Sequence, residues 1–230
     1  MRPSISKKKI YFYLLIFFLL SSILNFNIIS KFNKINLVNN INIVGLNDQE
    51  KNNLEKNLEI FLNKNIFFIS KQKAEKILKN ISFIDSYSIV KIFPSKLSVN
   101  VKKTKFVGKT ISKGKKFYIG KNGKLTEVSL VKKEYNLPQV FGTFQVHEFL
   151  KLQNILNING FNLDEIKKYY YFKSNRWDVQ NNDDVVFKLP SENVDKALKN
   201  YQSFVNVKKI TGSKIIDLRI KNKIILKDEK

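Results

Sequence analysis

His147 is the only histidine in the 230-residue chain, and there is no cysteine. That inventory removes a thiol nucleophile, disulfides and thiolate-ligated zinc. It leaves a Ser-His-Asp relay or a histidine-rich zinc site without support. Asp183-Asp184 reads as a turn, and no spaced pair of carboxylates has the look of a glycosidase. Gly120 and Gly123 bracket Lys121-Asn122 inside a strand-turn-strand pattern, whereas a phosphate loop needs a helix behind its glycines. No catalytic residue, cofactor or metal site is expected. The chemistry left is binding. Ile220-Lys221-Asn222-Lys223-Ile224-Ile225-Leu226 closes the chain's last extended stretch. As an edge strand it would offer unpaired N–H and C=O groups to a partner strand, with Ile220, Ile224 and Leu226 as apolar anchors and lysines on the rim. Alternatively those apolar residues face a core and the lysines guard the edge. Asp217 and Arg219 flank one residue, so on a strand they share a face. They form either a surface ion pair of little value or a pair that orients the binding strand. Trp177, the only tryptophan, reads as a core residue ahead of an interface anchor.

The net charge is +23, which raises nucleic acid or an anionic membrane as a partner. The composition favours a plainer account. Lys, Asn and Ile are abundant and Gly, Ala and Arg are scarce, as codons from an AT-rich genome would give. The arginines are Arg2, Arg176 and Arg219 alone. Base readout and phosphate clamps favour arginine, so no nucleic-acid partner is expected. A lysine-rich binding edge instead predicts an acidic complement and salt-sensitive association.

These residues need elements to hold them. Arg2, Lys7, Lys8 and Lys9 precede an uncharged run from Ile10 to Ile29. As a helix that run would rise about 30 Å, enough to cross a bilayer core. The basic flank predicts a cytoplasmic end at residues 1–9, a transmembrane signal-anchor at 10–29, and an exported remainder. No small-residue cleavage site follows the run, which favours an uncleaved anchor over a signal peptide. Residues 30–39 read as a linker. Ile41 to Val44 is a strand stopped by Gly45. Asn47 or Asp48 caps a helix with Leu54, Leu58, Phe61 and Leu62 on one face. Ile66 to Ile69 reads as an extended connector. Ser70 caps a helix with Ala74, Ile77, Leu78 and Ile81 inward. Ile84 to Phe93 is a strand, Pro94-Ser95 a turn, and Leu97, Val99 and Val101 alternate as a half-buried strand. The order β-α-α-β-β gives a small sheet with two helices on one face.

Residues 105–230 read as a second, β-rich domain with two helices, making the chain α+β. Asn122-Gly123 predicts a type I′ hairpin between Phe117-Tyr118-Ile119 and Leu125 to Val128. Leu137 to Gly142 is a buried extended segment. A helix from Gln145 to Ile158 turns Val146, Phe149, Leu150 and Leu156 inward. Strands follow around 168–172, 177–180 and 185–189. Ser191 caps a helix with Val194, Ala197, Leu198 and Tyr201 on one face, and 215–218 and 220–226 are extended.

The first exported segment resembles a POTRA domain, through Ile43-Val44-Gly45 and Phe93-Pro94-Ser95-Lys96-Leu97 over residues 40–104. The whole chain resembles the FtsQ/DivIB family of bacterial cell-division proteins. The further motifs are Phe106-Val107-Gly108, Tyr118 to Gly123, Leu137-Pro138-Gln139-Val140-Phe141-Gly142, Trp177-Asp178-Val179 and Ile216-Asp217-Leu218-Arg219. The chain departs from the family pattern at Lys102-Lys103, at Ile220 and in the Ile224 to Lys227 tail. The resemblance implies a non-enzymatic, single-pass protein of the bacterial inner membrane at the division septum. It implies binding of FtsB and FtsL by the β-domain, recruitment by upstream division proteins through the POTRA domain, and control of septal peptidoglycan synthesis. An alternative is a membrane-anchored POTRA-type assembly or transport factor, which needs a β-barrel or further POTRA repeats.

Overall fold

The computed structural model describes residues 7–23, 36–131, 133–207 and 214–228. The chain divides into two compact units, residues 1–80 with 87–101, and residues 81–86 with 102–230. Helix α1 spans Lys7–Ile23 and exposes its apolar side chains. No described helix is long and apolar enough to cross a membrane. The expected span continues through 24–29, outside the described residues.

The small sheet has the order β1-β3-β2, formed by Asn40–Val44, Lys96–Lys103 and Ile84–Ile92. β1 runs parallel to β3, with Ile41 opposite Leu97 and Ile43 opposite Val99. Two helices supply the other layer, α2 (Asp48–Leu58) and α3 (Lys71–Asn80). α2 starts where Asn47 and Glu50 form a reciprocal capping box, satisfying two of the amide donors that a helix start leaves unpaired. Ser70 Oγ accepts from Lys73 N at the start of α3. Leu54, Leu58, Phe61, Ala74 and Leu78 are buried with Leu97, Val99 and Val101. Gly45 has φ +99°, and a Cβ there would lie 1.9 Å from the Val101 carbonyl oxygen. Glycine is therefore required where β1 ends.

Ile66 to Ile69 is not extended. Ile66–Phe68 forms a 3-10 turn, because the Asn65 side chain accepts from Phe67 N and folds the backbone on itself. Ile66 and Ile69 turn inward, while Phe67 and Phe68 are left outside.

The second sheet has nine strands in the order β12-β11-β10-β9-β8-β7-β4-β5-β6. These are β4 (Phe106–Ser112), β5 (Lys115–Gly120), β6 (Leu125–Glu127), β7 (Gln139–Phe141), β8 (Ile166–Phe172), β9 (Arg176–Asn181), β10 (Val186–Lys188), β11 (Ile215–Asp217) and β12 (Ile225–Lys227). β7 is parallel to both β4 and β8, and β10 is parallel to β11. Helices α4 (Val146–Ile158) and α5 (Val194–Val207) contribute Phe149, Leu152, Leu156 and Leu198 to a core with Tyr169, Trp177, Val179, Phe187 and Ile216. Trp177 is a core residue and His147 is exposed.

Three local readings are corrected. The 120–124 turn is not type I′, since Gly123 alone has positive φ. Asn122 instead spends its side chain on tethering, donating to the carbonyls of Ser82 and Ile84 at 2.9 Å each. α5 begins at Val194, so Ser191 is too far upstream to cap it. Of the 137–142 segment only Val140 is buried, and Phe141 is 40% exposed.

Candidate functional site

The expected binding residues gather at one end of the large sheet. Ile215-Ile216-Asp217 gives β11, with Ile216 in the core and Asp217 on the opposite face. Leu218 stays buried and its N–H donates to Lys188 O at 2.9 Å, continuing the pairing with β10. The chain then turns. Asn222 adopts φ +58°, and Lys223 N donates to Ile220 O at 3.1 Å. Asn tolerates that left-handed conformation better than most residues. β12 returns antiparallel to β11, pairing Ile225 with Asp217, Leu226 with Ile216 and Lys227 with Ile215.

The expected strand from Ile220 to Leu226 is therefore corrected. Ile220, Lys221, Asn222 and Lys223 form an exposed turn, and only Ile225–Lys227 is strand. Ile224 is half-buried against the core, Ile225 is half-buried, and Leu226 is 38% exposed.

Asp217 and Arg219 form a forked ion pair. Arg219 Nε donates to Oδ1 at 2.8 Å and to Oδ2 at 3.0 Å, and Nη2 donates to Oδ2 at 2.5 Å. The Arg219 backbone N–H adds a bond to Oδ1 at 3.1 Å. These donors hold the Asp217 carboxyl below the usual carboxylate range, against the burial that raises it. Register extends the pair into a row. Asp217 lies opposite Lys188, and Lys188 opposite Asp178. Arg176 Nε sits 3.3 Å from Asp178 Oδ1. Burial pushes the Asp178 carboxyl up, with Arg176 and Lys188 pulling the other way. Burial leads at Asp178 and the Arg219 hydrogen bonds lead at Asp217, so the two shifts run in opposite directions.

Beside the turn, a groove of about 610 Å³ runs between α5 and residues 218–224. Leu218, Ile220 and Ile224 line it from one side, and Lys196, Asn200 and Phe204 from α5. The α5 wall was not anticipated. Its signal is a spacing of four residues, at 196, 200 and 204, beside the inward face of the same helix. Lys196, Arg219, Lys221 and Lys223 give the groove a cationic rim, with Glu192 as its acidic lining residue. No group of three or more metal-ligating side chains occurs among the described residues.

In the small sheet, Val44 is 50% exposed, Gly45 packs against the Val101 carbonyl, and Phe93 and Pro94 are exposed at the β2–β3 turn. The POTRA motif residues thus set chain direction and turn geometry.

A β-α-α-β-β unit followed by a β-rich unit with a cationic terminal edge defines a two-unit α+β protein. Residues 37–103 match the family model of the FtsQ-type POTRA domain, and residues 110–219 match that of the C-terminal domain of cell division protein FtsQ/DivIB. The chain belongs to the FtsQ/DivIB family of cell-division proteins. No curated protein matches it. Among solved structures, the major extracytoplasmic domain of the division protein DivIB from Geobacillus stearothermophilus is similar at 14% identity and a TM-score of 0.32. That similarity covers 45% of this chain and 92% of the other.

Proposed function

We propose that this chain is a non-catalytic division scaffold of the inner membrane. Residues 10–29 anchor it, residues 1–9 stay in the cytoplasm, and the POTRA domain (40–104) and β-domain (105–230) lie outside. It binds FtsB and FtsL through the end of the β-domain. It is recruited by upstream division proteins through the POTRA domain, and at the septum it takes part in controlling peptidoglycan synthesis.

The observation that carries the reading is the position of β12 at the open end of the nine-strand sheet. Among the described residues β12 pairs on one side only, with β11, so a partner strand can add to the other. Asp217 and Arg219 fix the turn that delivers β12, and Ile220, Lys221, Asn222 and Lys223 flank the added strand. Ile224, Ile225 and Leu226 supply its apolar contacts. The cationic rim of the groove supports an acidic partner segment.

Two experiments test it. Alkaline phosphatase, active only after export, is fused to Lys230 of the full chain. Activity is expected, and silence from an intact fusion refutes the topology. The full chain is then co-expressed with the FtsB and FtsL of the same cell. Leu226→Pro removes one strand N–H and should abolish co-purification while Trp177 fluorescence stays native. Undiminished co-purification would sink the edge-strand reading.

A further inference from the structure

The first unit receives the chain at one end, and that end is aromatic. Asn36 to Asn39 are gripped by two loops. Ile66 N donates to Asn36 O, Val38 N to Lys64 O and Asn63 N to Val38 O, each at 2.9 Å, and Asn39 N donates to Ser95 O at 3.1 Å. Both loops carry phenylalanines that the core does not take. Phe68 is 79% exposed, Phe67 49% and Phe93 55%. Phe67 and Phe93 stack at 4.8 Å with 29° between the rings, which joins the two loops into one platform. Asn65 builds this arrangement. Its side chain accepts from Phe67 N, and the resulting turn sends Ile66 inward and the next two residues out.

Lysines surround the platform. Lys64 and Lys96 are exposed at the two loops, and Lys91 Nζ donates to Phe67 O at 3.3 Å. Glu59 is exposed in the 3-10 turn that precedes the first loop, and Glu75 faces Lys71 on α3 at 3.8 Å. Phenylalanine rings beside lysines suit the boundary of a bilayer, where apolar rings enter the acyl edge and ammonium groups meet lipid phosphates.

Chain length brings this end to the membrane. Twelve residues, 24–35, separate Ile23 from Asn36. Fully extended they reach about 40 Å, and if 24–29 complete the span, the remaining six reach about 20 Å. We infer that Phe67, Phe68 and Phe93 rest in the outer leaflet, with Lys64, Lys91 and Lys96 on anionic phospholipid headgroups. The POTRA unit is thereby held against the membrane by its own tip. The inference rests on the reading of residues 10–29 as an anchor.

The absence of cysteine gives a direct test. The full chain carrying Phe68→Cys is labelled with an environment-sensitive fluorophore and reconstituted into phosphatidylglycerol–phosphatidylcholine vesicles that contain nitroxide-labelled lipid. Asn100→Cys is the control, because it lies opposite Val44 at the far end of β1, away from the point where the chain enters at Asn40. The label at position 68 should emit to the blue and be quenched, and that at position 100 should not. Quenching at position 68 should fall in pure phosphatidylcholine, at high salt, and in Lys64→Glu with Lys96→Glu. A chain that does not float with the vesicles refutes the anchor. A chain that floats while position 68 stays as water-exposed as position 100 overturns the tip contact alone.

Discussion

Replacing Arg219 by Ala should unlatch the turn that presents β12, and the size of the effect can be worked from the pair itself. The substitution removes three charge-assisted contacts, at 2.8, 3.0 and 2.5 Å. It leaves Asp217, whose side chain is 8% exposed, with the residue-219 backbone N–H and the facing Lys188. Breaking a buried pair costs about 3–5 kcal/mol, and losing hydrogen bonds to a charged group about 1.5–3 kcal/mol. Arg219 is 40% exposed and Asp217 keeps two partners, so the lower range applies, about 2 kcal/mol. Trp177, buried in the core of this unit and the chain's only tryptophan, reports its unfolding. With a urea slope of roughly 1.5 kcal/mol/M, the midpoint should fall by about 1.3 M. The sign with pH follows from the depressed native pKa of Asp217. Its contribution is complete above the unfolded value of about 3.9 and is lost as pH falls through the native value. The gap between wild type and Arg219→Ala should therefore close in acid. Coincident urea curves at neutral pH, or a gap undiminished near pH 2, would refute the reasoning.

Gly45→Ala should destabilise the POTRA unit by more than about 2 kcal/mol, from the left-handed φ and the clash with the Val101 carbonyl. Hydrogen exchange in β1 and β3 would rise while that in β8 and β9 stayed native. Asn122→Ala removes two 2.9 Å bonds to Ser82 and Ile84 and should cost about 1–2 kcal/mol; faster amide exchange at residues 81–86 is the readout. Capture of FtsB should weaken as salt rises from low to physiological strength, because the groove rim is cationic. Binding that does not respond to salt would remove the electrostatic part of the site.

Caps and periodicity carried the POTRA order. Asn47, Ser70 and the Leu97-Val99-Val101 alternation are local signals, and the structure uses each of them. The large sheet was legible as strands and not as a sheet. Its parallel contacts join β4 to β7 and β10 to β11 across intervening chain, and no local pattern encodes such pairings. Three of the errors share one physical source, an asparagine doing backbone work. Asn65 folds an apolar run into a 3-10 turn, Asn122 tethers other carbonyls instead of taking positive φ, and Asn222 breaks the last strand without a glycine or proline.

That last break changes what the terminal segment can do. A continuous strand from Ile220 to Leu226 would bind through backbone pairing along its whole length. The observed turn leaves three residues for pairing and moves Ile220, Lys221 and Lys223 beside α5, where they line a groove. A three-residue edge offers few ladder bonds, each worth about 1 kcal/mol net. Affinity at this end must therefore draw on side chains in the groove as well as on the strand. On the proposed reading, α5 is then part of the site. Lys196→Glu, which leaves β12 untouched, should weaken FtsB capture by at least about tenfold if an acidic side chain docks there. Equal capture by the variant would confine the site to the strand.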